Sequence, residues 1–156
     1  RRSVHHSSEH VHICRRMLKR IDALASHELT HHLVNASSVV AKQINLYAIM
    51  RENSIVYDFM IDVIGEKLRT KQMDYSHKDI YNYFNTLQEC YPASADWSES
   101  TRAKLCQVLT KFLVECEYLE SVRSQVLRPV FLFPELEEGI RQLGDDAALC
   151  AFNCFY

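Results

Sequence analysis

Residues 37–68 read SSVVAKQINLYAIMRENSIVYDFMIDVIGEKL, the most apolar stretch of the chain. Val40, Ile44 and Tyr47 recur at steps of four and three, and after Arg51-Glu52-Asn53-Ser54 the pattern restarts as Ile55/Val56, Phe59/Met60, Val63/Ile64 and Leu68. That is the period of a helical face, so the stretch predicts two helices. Asn53 or Ser54 can serve as N-cap, taking up backbone N–H groups that the first turn of the second helix leaves open, so a tight corner is expected between them. Stripes this wide need cover on more than one side, and the flanking segments must supply it. Arg51, Glu52, Asp58, Asp62, Glu66 and Lys67 interrupt the stretch well before the roughly 18 apolar residues of a membrane span. The expectation is a soluble, cytoplasmic chain with no membrane partner.

Composition points the same way. With 156 residues the chain fits one domain, 1–156, long enough to bury about two-thirds of the surface of its unfolded state. Only 3 Gly and 3 Pro are present, which favours long helices over a turn-rich β architecture. The first residue is Arg1, and an incomplete N-terminus is expected. No signal peptide is visible and the six cysteines form no CxxC pair, so neither a disulfide framework nor a zinc ribbon is predicted. Cys106 and Cys116 fall on apolar helical faces and read as small core residues. No cofactor is expected.

Charge is unevenly spread although the net is only -2. Residues 1–32 hold six Arg/Lys against three acids and seven of the eight histidines, whereas residues 76–156 hold seven basic against twelve acidic residues. A basic end can steer a polyanion, and it can also be an ordinary solvated face. Ser7 or Ser8 opens a first helix with a seam of Val11, Cys14, Leu18, Ile21 and Ala25. Arg15, Arg16, Lys19 and Arg20 lie off that seam. Arg15 with Lys19 and Arg16 with Arg20 are like-charged i,i+4 pairs, each unfavourable by a few tenths of a kcal/mol in an isolated helix, which phosphates would relieve. Arg1, Arg2 and Ser3 add donors of the kind that contact phosphate oxygens.

His27-Glu28-Leu29-Thr30-His31 matches HExxH, in which two imidazoles one turn apart hold zinc and the Glu activates its water. The surroundings argue against a metal site. Histidine is abundant here, Ser26 reads as an N-cap that puts His27 in the first turn of a short helix, and the only later histidine is His77. Surface histidines at a helix start are the plainer expectation. Further on, Ser76 to Asp79 reads as a capping box opening a helix with Ile80, Tyr83, Phe84, Leu87 and Tyr91 on its buried face, closed by Pro92 to Asp96. Ser98 starts a helix of about five turns with Leu105, Val108/Leu109, Phe112, Cys116 and Leu119 inside and Arg102, Lys104 and Lys111 outside. Residues 119–133 are the least helical part, a short hairpin or an extended crossing. Pro134 at the first helical position starts another helix that Gly144 stops, and Asp145-Asp146 opens the last turns.

Taken in order, the basic Arg-Ser segment and helix at 2–20, the apolar pair with Asp58-Phe59, the Tyr83-Phe84 helix, Trp97-Ser-x-Ser-Thr101, Arg128-Pro129 and Gly144-Asp145 resemble the BrxA family of bacterial BREX phage-defence systems. The resemblance spans nearly the whole chain through the order and spacing of its motifs. It implies an all-α, compact multi-helix bundle, similar in part to the antitermination factor NusB. It also implies a non-enzymatic protein that binds double-stranded DNA beside other BREX proteins. The family extends further upstream than Arg1. Only the basic segment is carried over as a site: Arg15, Arg16, Lys19 and Arg20, with Arg1, Arg2 and Ser3 as auxiliaries. The alternatives are a protein–protein adaptor presenting the acidic C-terminal half, a zinc hydrolase using His27, Glu28 and His31, and RNA in place of DNA by analogy with NusB.

Overall fold

The computed structural model describes residues 15–90 and 97–155. It is all-α. Helix α1 covers residues 15–24, α2 His27–Asn35, and α3 Ser38–Glu52. Ser54–Asp58, a π-helical run Phe59–Gly65 and Glu66–Thr70 form one continuous helix, α4. Then come α5, His77–Cys90, α6, Glu99–Glu115, and α7, Pro134–Gln142. A 3-10 turn, Asp146–Phe152, follows near the end.

The central pair forms as its spacing predicts. Asn53 ends α3 and caps α4, its Oδ1 accepting from the N–H groups of Ile55 at 3.0 Å and Val56 at 3.4 Å. Ile44, Tyr47, Phe59, Met60 and Ile64 are all buried within the core. The flanking elements cover the pair: α2 and α7 pack on α3, while α5 and the terminal 3-10 turn pack on the π-helical run. The last contact is tight, because a Cβ at Gly65 would stand 3.1 Å from Cys150 Sγ and 3.2 Å from the Cys150 carbonyl oxygen. Ser76 and Asp79 form the capping box, with the Ser76 N–H donating to Asp79 Oδ2 at 2.7 Å. Ile80, Tyr83, Phe84 and Leu87 are buried as their period requires, and so are Cys106 and Cys116. Tyr91 to Asp96 lie outside the described residues.

Three readings of side-chain placement are corrected. Leu18, assigned to the buried seam of the first helix, is 58% exposed, and Ala25 is exposed at a left-handed φ of 49° that ends the helix. Leu24 is fully buried in the core and Ile21 half-buried, while Val11 and Cys14 of the seam lie outside the described residues. Val108 is 45% exposed, leaving Leu109 as the core residue of that pair. Arg102 is not an outside cation: its guanidinium lies 5.4 Å from the Tyr81 ring centre and 6.0 Å from that of Phe84, and donates to Asn85 Oδ1 at 2.6 Å. A planar cation between aromatic faces is partly desolvated and held by the rings.

Residues 118–133 form the extended crossing. No hairpin occurs there, and a single antiparallel bridge joins Val126 to Asp74. The Tyr75 N–H donates to the Gln125 carbonyl at 2.9 Å and the Leu127 N–H to that of Met73 at 2.7 Å. Leu119, Leu127 and Val130 anchor the crossing in the core.

Candidate nucleic-acid interface

On α1, Arg15, Arg16 and Lys19 are exposed and make no ion pair among the described residues. Arg20 differs. Its Nη1 donates to Asn45 Oδ1 at 3.3 Å and its Nε lies 3.9 Å from Glu52, so its charge is partly spent on seating α1 against α3. Arg1, Arg2 and Ser3 lie outside the described residues.

The other end of α1 is fixed from below. Arg51 Nε donates to the Ala23 carbonyl at 2.7 Å, satisfying one of the acceptors that a helix C-terminus leaves open with a cation, which the helix dipole also favours. The same guanidinium donates to the Tyr47 hydroxyl at 3.2 Å and lies 3.8 Å from Asp145. Tyr47 and Tyr57 each donate their hydroxyl to the Asp145 carboxylate. Burial, joined by the neighbouring Asp145 carboxylate, pushes the Tyr47 hydroxyl up to about 12, against the opposing hydrogen bond from Arg51. The cluster ties α1, α3, α4 and the loop after α7 together at one point. Sequence reading missed it, because Tyr47 and the Asp145 carboxylate it bonds are 98 positions apart, and the only hint was a charged Arg51 abutting an apolar stripe.

The HExxH segment is the body of α2. Ser26 caps it, accepting from the Leu29 N–H at 3.2 Å, and His27 is its first residue. His27, Glu28 and His31 are exposed, whereas Leu29, between them, is fully buried against α7. Among the described residues no three His, Cys, Asp or Glu side chains converge as metal ligands.

A groove of about 600 Å³ lies between the end of α6, the start of α3 and the crossing. Gln43, only 4% exposed, holds the crossing by donating from Nε2 to the Phe131 carbonyl at 2.8 Å and accepting at Oε1 from the Phe133 N–H at 3.3 Å. Phe131 itself is 76% exposed. The polar Gln43 within the apolar run before Ile44 was the one available signal of this groove. Among the described residues, no helix is long and apolar enough to cross a membrane.

The model of the BrxA family matches residues 3–144. The BREX protein BrxA of Bacillus cereus (strain H3081.97) is 31% identical over 130 residues, which cover 82% of this chain and 62% of that protein. The BREX protein BrxA of Escherichia coli O9:H4 (strain HS) is 27% identical over 103 residues, 66% of this chain and 48% of that one. The chain therefore spans less than two thirds of the length of these relatives. The crystal structure of an uncharacterized protein from Magnetospirillum magneticum superimposes with a TM-score of 0.77 at 22% identity, covering 86% of this chain and 70% of that one, a likeness of fold. The family match runs from the basic segment through α7, and on it the chain belongs to the BrxA family.

Proposed function

We propose that the chain is a non-enzymatic component of a BREX anti-phage system that binds double-stranded DNA through backbone phosphates. The basic face of α1 would make the contact, and other BREX proteins would be its partners. The observation that carries the reading is the exposure of Arg15, Arg16 and Lys19 side by side with no carboxylate partner among the described residues, on a chain whose net charge is -2. Like charges one turn apart repel, and a row of phosphates relieves that repulsion while releasing counterions. The arrangement carries no sequence-reading logic, since cations that meet phosphates position a protein without reading bases.

Three neutralised phosphates give a salt slope of about -3 in log affinity against log salt, and Arg1 with Arg2 would steepen it to between about -4 and -5. The test is fluorescence anisotropy of a labelled duplex across a salt series. An Arg15/Arg16/Lys19→Glu variant is expected to lose binding at low salt, and Arg20→Gln to weaken stability more than slope, because Arg20 is tied to Asn45 and Glu52. No wild-type binding at low salt would overturn the reading. Competition with RNA of the same length separates the two polyanions: duplex DNA is expected to win.

A further inference from the structure

Among the described residues, the groove beside Phe131 has no occupant. Its exposed ring is not loosely hung: Gln43 grips the backbone on both sides, and the Phe133 ring packs edge-on at 6.1 Å. An apolar group held rigid at the surface loses little conformational freedom when covered. Three carboxylates, Glu115, Glu117 and Glu120, line the same groove against Arg128 alone. Glu120 pairs with Arg128 at 2.7 Å and Glu115 with Lys111 at 3.6 Å, both on exposed atoms where such pairs contribute little. Glu117 has no ion-pair partner among the described residues and sits at φ 68°, a helix-ending position that favours glycine. The groove therefore calls for an apolar anchor flanked by cations.

One such surface is part of this chain. Arg15-Arg16-Met17-Leu18-Lys19 is exposed throughout, with Met17 at 56% and Leu18 at 58%. It cannot reach its own groove. Arg20 ties α1 to Asn45 and Glu52 of α3, whereas the groove is floored by Gln43. Two and nine residues at 3.6 per turn put Asn45 and Glu52 about 180–200° around α3 from Gln43. The helix and the groove face opposite ways.

We infer that the acidic, aromatic groove receives the basic α1 of a second copy of this chain, giving head-to-tail self-association. Two different patches on opposite sides of one molecule make a heterologous contact, which propagates into chains or rings and does not stop at a two-fold dimer.

The test is sedimentation velocity of the whole chain, free of nucleic acid, over a ~30-fold concentration range at ~50 mM salt, where exposed charges are weakly screened. Working without nucleic acid makes the outcome independent of the DNA-binding proposal. The wild-type mass is expected to climb past the dimer, and Met17→Glu or Phe131→Ala to weaken association at least ~10-fold, since the first sets a carboxylate against the acidic groove and the second removes the apolar anchor. Both positions are exposed, and unchanged thermal melts of the two variants establish that they fold. An equal mixture of the two variants is expected to form dimers and stop there, because one keeps an intact helix and the other an intact groove. Three outcomes would overturn the inference: a monomeric wild type throughout the range, equal growth in either variant, or a mixture that stays monomeric.

Discussion

Leu29 lies against Gly139 so closely that a Cβ on Gly139 would stand 2.5 Å from Leu29 Cδ2 and 2.6 Å from its Cγ. Gly139→Ala gains about 1 kcal/mol of helix propensity but overpacks a fully buried side chain, a cost of about 1–3 kcal/mol. A net loss of stability is expected, measured by urea unfolding. Leu29→Ala alone should cost about 2–5 kcal/mol, and the double variant less than the sum of the two, because the alanine at 29 vacates the space that the new methyl needs. A motif scan of HELTH stops at the two histidines, yet Leu29 is the residue that the fold buries. Its partner glycine lies more than a hundred positions away, beyond the reach of local spacing. Arg51 is a second such residue. It bonds the end of α1, Tyr47 and Asp145 together, so Arg51→Met is expected to lower stability by about 1–3 kcal/mol. The variant should also speed amide exchange in residues 15–24 more than elsewhere. Arg51→Lys should recover only part of this, since an ammonium cannot span the three acceptors as a guanidinium does. Exchange that rises uniformly along the chain would contradict an anchoring role for Arg51.

Asn53 terminates α3 through its backbone N–H, which donates to the Ile49 and Met50 carbonyls, and starts α4 with its side chain. Asn53→Ala is expected to cost about 1 kcal/mol and Asn53→Gly only a few tenths, by urea unfolding, because glycine is tolerated as an N-cap and alanine is not. An Asn53→Ala variant as stable as the wild type would mean that the cap bonds at Ile55 and Val56 contribute nothing. This corner was legible in the sequence, as were the starts of α2, α5, α6 and α7, since each rests on chemistry within four residues of the boundary. The π-helical run was not read, although its signature is present. Val56, Met60, Ile64 and Leu68 are spaced by four and all are buried. In an α-helix of 3.6 residues per turn such a series drifts about 40° at each step, enough to carry Leu68 off the face. The wider turn of Phe59–Gly65 takes up the drift and keeps the four in line. The placement of Leu18 and Arg102 failed for another reason. Period tells which residues share a face, while burial of that face depends on what packs there, and the partner elements are remote in sequence.

At the scale of the molecule, polar groups cross-link the helices at the core's edges, and several of them are tyrosines. Tyr118 donates to the Ala151 carbonyl at 2.7 Å, joining the crossing to the terminal 3-10 turn. Tyr47 and Tyr57 meet at Asp145, and Tyr75 lies 3.4 Å from Thr110. Burial raises the hydroxyls of all four, Tyr47 and Tyr75 to about 12 and Tyr57 and Tyr118 upward by the same cause, reinforced at Tyr57 by the Asp145 carboxylate. The ordinary tyrosine value, near 10, holds in the unfolded chain. Between those values the unfolded state has released protons that the native state keeps, so it binds fewer, and stability falls as pH rises. The contribution is complete below about pH 10 and is lost as pH climbs through 10 toward 12. Thermal melts from pH 7 to 9 should show no loss from this source, with a steep fall above pH 10. Absorbance at the phenolate band, followed with far-ultraviolet ellipticity, gives the decisive reading. Tyr47, Tyr57, Tyr75 and Tyr118 are expected to keep their protons while the helices are intact and to ionise together with the loss of ellipticity. Full ionisation near pH 10 with the helices unchanged would mean that these hydroxyls face water and that the cross-links at Asp145 and Ala151 do not hold the helices together.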